Sequence, residues 1–379
     1  MKNLLFAFLA LSLGVVGVTN SARAASGYKI GWVASFSGIG SAWSESGTRG
    51  IKLATDAINA GNLAGAPITV ITADDSGNPR TASDVCERLA LQDKVVAIVG
   101  FEPTPARLAC NQAALKAHIP YVASTGTAGN ICFPNMVTDG VISNQMVGPL
   151  ISYLMKEGKH KFYMIGSDYS VPKDTMKLAT AVITKAGGTV VGRSFMPMGT
   201  ADFSAEFAKI SAAKPDAVLI NVVGTDDLTF HKQFANDPRV SHIARADLLL
   251  FESVAHVLGA SGKGIVAVGN YFATIKSPAN AAFRADFTKH FGNKLSPDAN
   301  TVNAYNGLML LAAALKQGGG DEAKVMAALE MAKIAGPNGE VRIVHRFAAQ
   351  RTYIGRATGT GAIQVIEHTA PIMPKTSCK

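Results

Sequence analysis

Lys29-Ile-Gly-Trp-Val-Ala-Ser-Phe36, a Ser/Gly-rich loop and a helix carrying Lys52-Leu-Ala-Thr55 form a unit that this chain uses twice. The second version is Phe162-Tyr-Met-Ile-Gly166, Ser167-Asp-Tyr-Ser-Val-Pro-Lys173 and Lys177-Leu-Ala-Thr180. In each copy the apolar run reads as a buried strand and the polar stretch as the turn into a helix. Ile51, Ala54, Ala57 and Ile58 share one helical face, as do Met176, Ala179, Val182 and Ile183. Gly61 and Gly187-Gly188 read as helix stops, and another apolar run follows each, at residues 68–72 and 189–191. A strand–loop–helix–strand unit used twice predicts two similar α/β lobes. A cleft between such lobes is where a small molecule binds.

The ends of the chain bound its class. Residues 1–24 have the form of a secretion signal, with Lys2, an apolar stretch over residues 4–18 and the small-residue pattern Ala22-Arg-Ala24. The apolar stretch is short for a spanning helix, so cleavage and export to a periplasm are expected. The formal charge of +9 becomes +7 on cleavage, because Lys2 and Arg23 leave and no acid does. That excess is dispersed, without the basic runs or interleaved aromatics of a nucleic-acid binder. Cys86, Cys110, Cys132 and Cys378 meet an oxidising compartment and allow three full pairings. One bridge among the first three is expected, with free buried thiols as the alternative.

Regular β/α alternation continues through residues 68–72, 95–100 and 119–123, which predicts a parallel, doubly wound sheet. A second series runs through residues 162–166, 189–191, 217–223, 248–251 and 265–271. The regularity lapses near residues 140–149, after Tyr271 and around Gly336-Pro-Asn-Gly339, so the chain is expected to cross between lobes there. This divides it into a leader (1–24), lobe 1 (25–145 plus 273–337) and lobe 2 (146–272 plus 338–379).

Chemistry motifs are mostly missing: there is no Gly-x-Ser-x-Gly elbow, no His-Glu-x-x-His and no complete phosphate or dinucleotide loop. The eight histidines show no ligand spacing, and Asp226-Asp227 reads as a solvated or capping pair. No catalytic residue, metal or cofactor is implied. Donor-rich loops do stand at the carboxyl ends of the predicted strands, where open α/β sheets bind ligands. Ser124, Thr125 and Thr127 lie in one such loop and Thr104 in another, while Trp43 offers an apolar wall. From the second lobe, Tyr169 and Glu252 face the same cleft if the architecture holds.

Taken in order, several segments resemble the type I periplasmic solute-binding proteins of ABC importers, the family of the leucine/isoleucine/valine-binding protein. They are Lys29-Ile-Gly-Trp32 with Gly50-Ile-Lys-Leu-Ala54, Val95-Val-Ala-Ile-Val-Gly100, Ile119-Pro120, Ala186-Gly-Gly188 and Lys214-Pro-Asp-Ala217. Ile165-Gly-Ser-Asp-Tyr169, Val222-Val-Gly-Thr225 and Asn270-Tyr-Phe272 are similar to the amide- and urea-binding branch. The resemblance implies a Venus-flytrap: two doubly wound parallel-sheet lobes joined by a three-segment hinge. By position it makes Thr104 the hydroxyl that holds a ligand carboxylate, Thr125 and Thr127 the next loop's contacts, Trp43 a lid and Tyr169 a second-lobe aromatic. Glu252 resembles the acid that takes an α-ammonium, and Val222-Val223 replaces an expected pocket tyrosine. The implied protein is a monomeric periplasmic receptor. It captures an amino acid, an amide or urea-like compound or a small carboxylate, and delivers it to a membrane permease. The competing readings are a ligand sensor that regulates a partner protein and an exported amide or ester hydrolase.

Overall fold

The computed structural model describes residues 27–378 apart from Gly38, Ile39 and Ala128. The expected leader lies outside the described residues. The first half alternates β1 (Tyr28–Ala34), α1 (Ser41–Gly61), β2 (Ile68–Asp74), α2 (Pro79–Leu91), β3 (Ala97–Phe101), α3 (Thr104–Lys116), β4 (Tyr121–Ala123) and β5 (Met136–Thr138). The second series follows the same rhythm. It comprises α4 (Ser143–Lys156), β6 (Lys161–Ser167), α5 (Ser170–Lys185), β7 (Thr189–Met196), α6 (Ser204–Ala213), β8 (Ala217–Asn221), α7 (Thr225–Asn236), β9 (Ala244–Asp247), α8 (Glu252–Leu258) and β10 (Val266–Gly269). Helices α9 (Pro278–Phe291), α10 (Ala299–Gly318) and α11 (Glu322–Glu330) come next. They lead to β11 (Lys333–Gly336), β12 (Gly339–Val344), β13 (Phe347–Ala349), β14 (Tyr353–Ala357) and β15 (Ile363–His368).

Two sheets result, ordered β2-β1-β3-β4-β5-β13-β12-β11 and β7-β6-β8-β9-β10-β14-β15. The first five strands of each are parallel neighbours in one shared order, so the sequence repeat is a repeat of topology. Equivalent positions behave alike. Thr55 and Thr180 each donate to the carbonyl four residues back, to Ile51 and Met176, both at 2.8 Å. Ile51, Ala54 and Ile58 are buried, as are Met176, Ala179 and Ile183, while Lys52 and Lys177 are exposed. Burying each large apolar side chain stabilises the fold by roughly 1.5–3 kcal/mol relative to exposure. Helix α1 runs on through Gly61 and stops at Asn62, which takes the left-handed conformation (φ 48°). Gly50 lets α1 approach α10, since a Cβ there would stand 2.0 Å from the Thr301 carbonyl oxygen.

The chain passes between the sheets three times, after β5, after β10 and after β13. The third passage corrects the expected one. Gly336-Pro-Asn-Gly339 is the tight turn of the β11–β12 hairpin, with Gly336 paired to Gly339, and β13 pairs with β5. Residues 338–349 therefore belong with the first sheet, and the passage is at residues 350–352. The three passages are laced by carboxamides. Gln350 donates to the Asp139 carbonyl at 2.9 Å and accepts from Asn270 at 2.8 Å and Asn338 at 3.2 Å.

Two disulfides are formed. Cys86–Cys110 joins α2 to α3, and Cys132–Cys378 ties the loop between β4 and β5 to the carboxyl terminus. The first is the single bridge expected among Cys86, Cys110 and Cys132; the second adds a link that spacing did not indicate. Among the described residues no helix is long and apolar enough to cross a membrane.

Candidate functional site

Parallel strands place their carboxyl ends, and the loops that follow, along one edge of each sheet. After β1 that loop is braced by β2: Ser35 donates to Asp75 at 2.6 Å, and Phe36 N–H and Ser37 donate to Asp74, both at 2.9 Å. Trp43 sits half-buried in the first turn of α1. Its indole N–H has no partner among the described residues, nor has the buried hydroxyl of Ser44.

The decisive side chain is one that sequence reasoning passed over. Arg107, in the second turn of α3, is 1% exposed. One of its nitrogens donates to the Glu102 carbonyl at 3.1 Å and to the hydroxyl of Thr125. Its Nε and Nη1 are buried with no partner among the described residues. Glu102 does not neutralise it. Burial, and then Asp75, push that carboxyl up to about 8, and it accepts from Tyr121 at 2.7 Å. Asp139 is likewise pushed up to about 8 by burial. Burial thus holds both acids toward their neutral forms, and neither meets the two free nitrogens of Arg107. A buried charge of that kind is costly until an anion pairs with it.

The expected contacts divide around this cation. Thr104 begins the same helix and is half-buried; Thr125 touches Arg107; Thr127 is 3% exposed with its hydroxyl unpartnered. From the opposite sheet Tyr169 comes within electrostatic reach. Burial pushes its phenol up to about 12, against the pull of Arg107. Ser124 lies behind this group, fully buried beside Asp139 and against α10: a Cβ on Gly307 would stand 2.2 Å from its hydroxyl and 3.2 Å from the Asp139 carboxyl. Glu252 is also apart from this group. Its carboxylate accepts from the Ala273 N–H at 2.6 Å, just beyond β10, and so braces the second passage between sheets. Burial pushes it up to about 8.

The second lobe's edge is less polar. Val222 and Val223 are buried, and Ser167 accepts from the Val223 N–H at 3.1 Å, holding two loops together. Four of its acids are engaged. Asp168 pairs with Lys173, Asp226 accepts from Gly199 and Thr200, and Asp227 and Asp247 lie 3.3 and 2.8 Å from His231. The Asp226-Asp227 pair is thus buried rather than solvated. Asp227 and His231, four residues apart on α7, meet Asp247 as closely as metal ligands would. Yet Arg245 donates to His231 at 3.2 Å and supplies positive charge in place of an ion. Against desolvation, Asp227 and Asp247 raise His231 to about 9. A depression of about 670 Å3 lies at the opposite end of the second sheet, lined by Lys159, Lys214, Arg239 and Lys263. These cations follow the ends of α4, α6 and α7 and near β10, where positive charge offsets helix dipoles.

The sequence model of the family described as periplasmic binding protein matches residues 27–362. The chain belongs to the periplasmic binding protein family. Among its relatives is "Leu/Ile/Val-binding protein homolog 6" of Brucella melitensis, 26% identical over 345 residues that cover 88% of this chain and 87% of that protein. A solute-binding protein of an ABC transporter from Rhodopseudomonas palustris, solved with 3,4-dihydroxybenzoic acid, superposes with a TM-score of 0.83 at 26% identity. It covers 92% of this chain and 98% of its own. A leucine-binding protein from Thermotoga maritima shares the fold, with a TM-score of 0.81 at 18% identity over 91% of this chain and 99% of its own. The family consists of solute-binding proteins, not enzymes, so the hydrolase reading falls away. This periplasmic binding protein has the two-lobed α/β architecture of ABC-transporter receptors.

Proposed function

We propose that this protein captures a small carboxylate between its lobes, pairs it with Arg107 and presents it to a membrane permease. The observation that carries the reading is the buried guanidinium with two unpartnered nitrogens, beside Thr125 and within electrostatic reach of Tyr169. A planar guanidinium fork matches a carboxylate bidentately. The engagement of Asp168, Asp226, Asp227 and Asp247 within the second lobe argues for a ligand without an α-ammonium group. Trp43, Tyr169 and Val223 supply apolar surface for its body, and the R. palustris protein's aromatic acid has that character. Ligand binding then favours the closed form only through its higher affinity for that form.

A thermal-shift panel of benzoate, 4-hydroxybenzoate, leucine and urea tests this. At a hundredfold its Kd a ligand adds about 2.7 kcal/mol of stability. Benzoate-type acids are expected to raise the melting temperature and leucine and urea to leave it unchanged. A shift with leucine and none with either acid overturns the carboxylate class.

A further inference from the structure

The carboxyl-terminal tail forms a fourth link between the lobes, and it ends on the ligand loop. It leaves β15 in the second sheet at His368 and runs antiparallel to the third passage, where the Ile372 N–H donates to the Gln350 carbonyl at 2.8 Å. It then crosses the first turn of α4. Asn144 donates to the Met373 carbonyl at 3.3 Å and accepts from the Lys375 N–H at 3.0 Å, and Gln145 donates to the Ile372 carbonyl at 3.0 Å. Finally the Ser377 N–H meets the Gly129 carbonyl at 3.4 Å, and Cys378 is bonded to Cys132 in the first lobe, with Cα atoms 5.4 Å apart.

The loop so captured leads directly from Thr125 and Thr127. On its other side it is held to the first passage, where Thr127 N–H donates to the Val141 carbonyl at 3.1 Å and Ser143 N–H to the Thr127 carbonyl at 3.2 Å. The segment from Thr125 to Cys132 contains no helix and one isolated bridge, to Ile142, among its described residues. It gets little order from its own backbone. We infer that Cys378 is a positioning residue: through Cys132 the tail holds the Thr125–Thr127 loop in its ligand-ready conformation, and it ties that loop to the second lobe. The inference rests on the proposed ligand site for its purpose, but its geometry stands on the tail's own contacts.

Hydrogen exchange of the ligand-free protein tests it without requiring a known ligand. In Cys378→Ser, peptides covering residues 124–132 are expected to exchange at least about tenfold faster, while β3 and β8 peptides, one from each sheet's centre, keep their wild-type protection. If Cys378→Ser does not fold, the folded wild-type protein is reduced briefly with dithiothreitol and alkylated. The half-buried Cys378 exposes its bridge to reductant, whereas Cys86 and Cys110 are fully buried. Unchanged exchange at residues 124–132 in whichever sample is folded overturns the proposal. With benzoate as the probe, the same change is expected to raise the dissociation rate severalfold and leave the association rate within about twofold. Failure of benzoate to bind the wild type counts against the ligand reading alone and leaves the exchange result to decide the tether.

Discussion

Each lobe buries a cluster of charges near the carboxyl ends of its central strands, and the two clusters are finished differently. In the second lobe, Asp227 and Asp247 face His231 and Arg245, so two acids meet two bases and the group is balanced within the protein. In the first lobe, burial holds Glu102 and Asp139 toward their neutral forms, and Arg107 keeps two buried nitrogens without a partner among the described residues. The balanced cluster needs nothing from outside and reads as scaffold. The unbalanced one reads as half of a site, with the missing charge carried by the ligand.

The largest loss of stability is expected in the second lobe. Replacing His231 by Ala leaves Asp227 and Asp247 buried with a shortage of positive charge. Urea denaturation is expected to show a loss of about 3–5 kcal/mol, the usual cost of removing one partner of a buried ion pair. Benzoate affinity of the remaining folded protein should stay close to wild type. Arg107→Met should do the reverse, with apo stability equal to or above wild type, because an uncompensated cation has been removed.

Titration sharpens the contrast. Glu102 keeps its proton in the folded state up to about pH 8 and, when unfolded, only to its ordinary value near 4.5. Asp139 behaves the same way from 3.8 to about 8. The folded state binds extra protons across those windows, so stability declines as pH rises through them. His231, raised from 6.5 to about 9, contributes stability that is complete below 6.5 and lost as pH approaches 9. The melting temperature should therefore be higher at pH 6 than at pH 9. Carboxylate affinity should fall severalfold over pH 7–9, because ionised Glu102 and Asp139 then compete for Arg107. Glu102→Gln is expected to flatten that affinity profile, and calorimetry across the range would show an unchanged slope if Glu102 were uninvolved. The smallest effect is expected from Tyr169→Phe, which keeps the ring and removes one neutral hydroxyl, weakening benzoate binding about two- to fivefold.

Much of this architecture was legible in the sequence because strands and helices alternate with strong apolar periodicity. The doubled Lys-Leu-Ala-Thr segment marks equivalent helices on equivalent strands, and Trp43 and Tyr169 stand at the starts of those helices. Short strands were harder. β5 spans only Met136–Thr138, and Gly336-Pro-Asn-Gly339 has the composition of either a linker or a hairpin turn. Only long-range pairing decides between those two. The contacts of Ser124 and Glu252 were hidden for a related reason, since loop membership does not say which way a side chain points. Arg107 did leave a signal. It shares a helical face with Cys110, Asn111 and Ala114, all buried, and a lone arginine on an apolar face is unusual. Its unpartnered nitrogens, and the burial that holds Glu102 and Asp139 toward their neutral forms, are properties of the folded interior.

Arg107 is the cation that the ligand's anion is expected to meet. Calorimetric titration of wild type and Arg107→Met with benzoate at pH 7 tests that directly. The expected result is wild-type binding that weakens at least about a hundredfold in the variant, the range for losing a buried charge-assisted pair, while the variant's unfolding midpoint holds or rises. Equal benzoate affinity in the two proteins would contradict it.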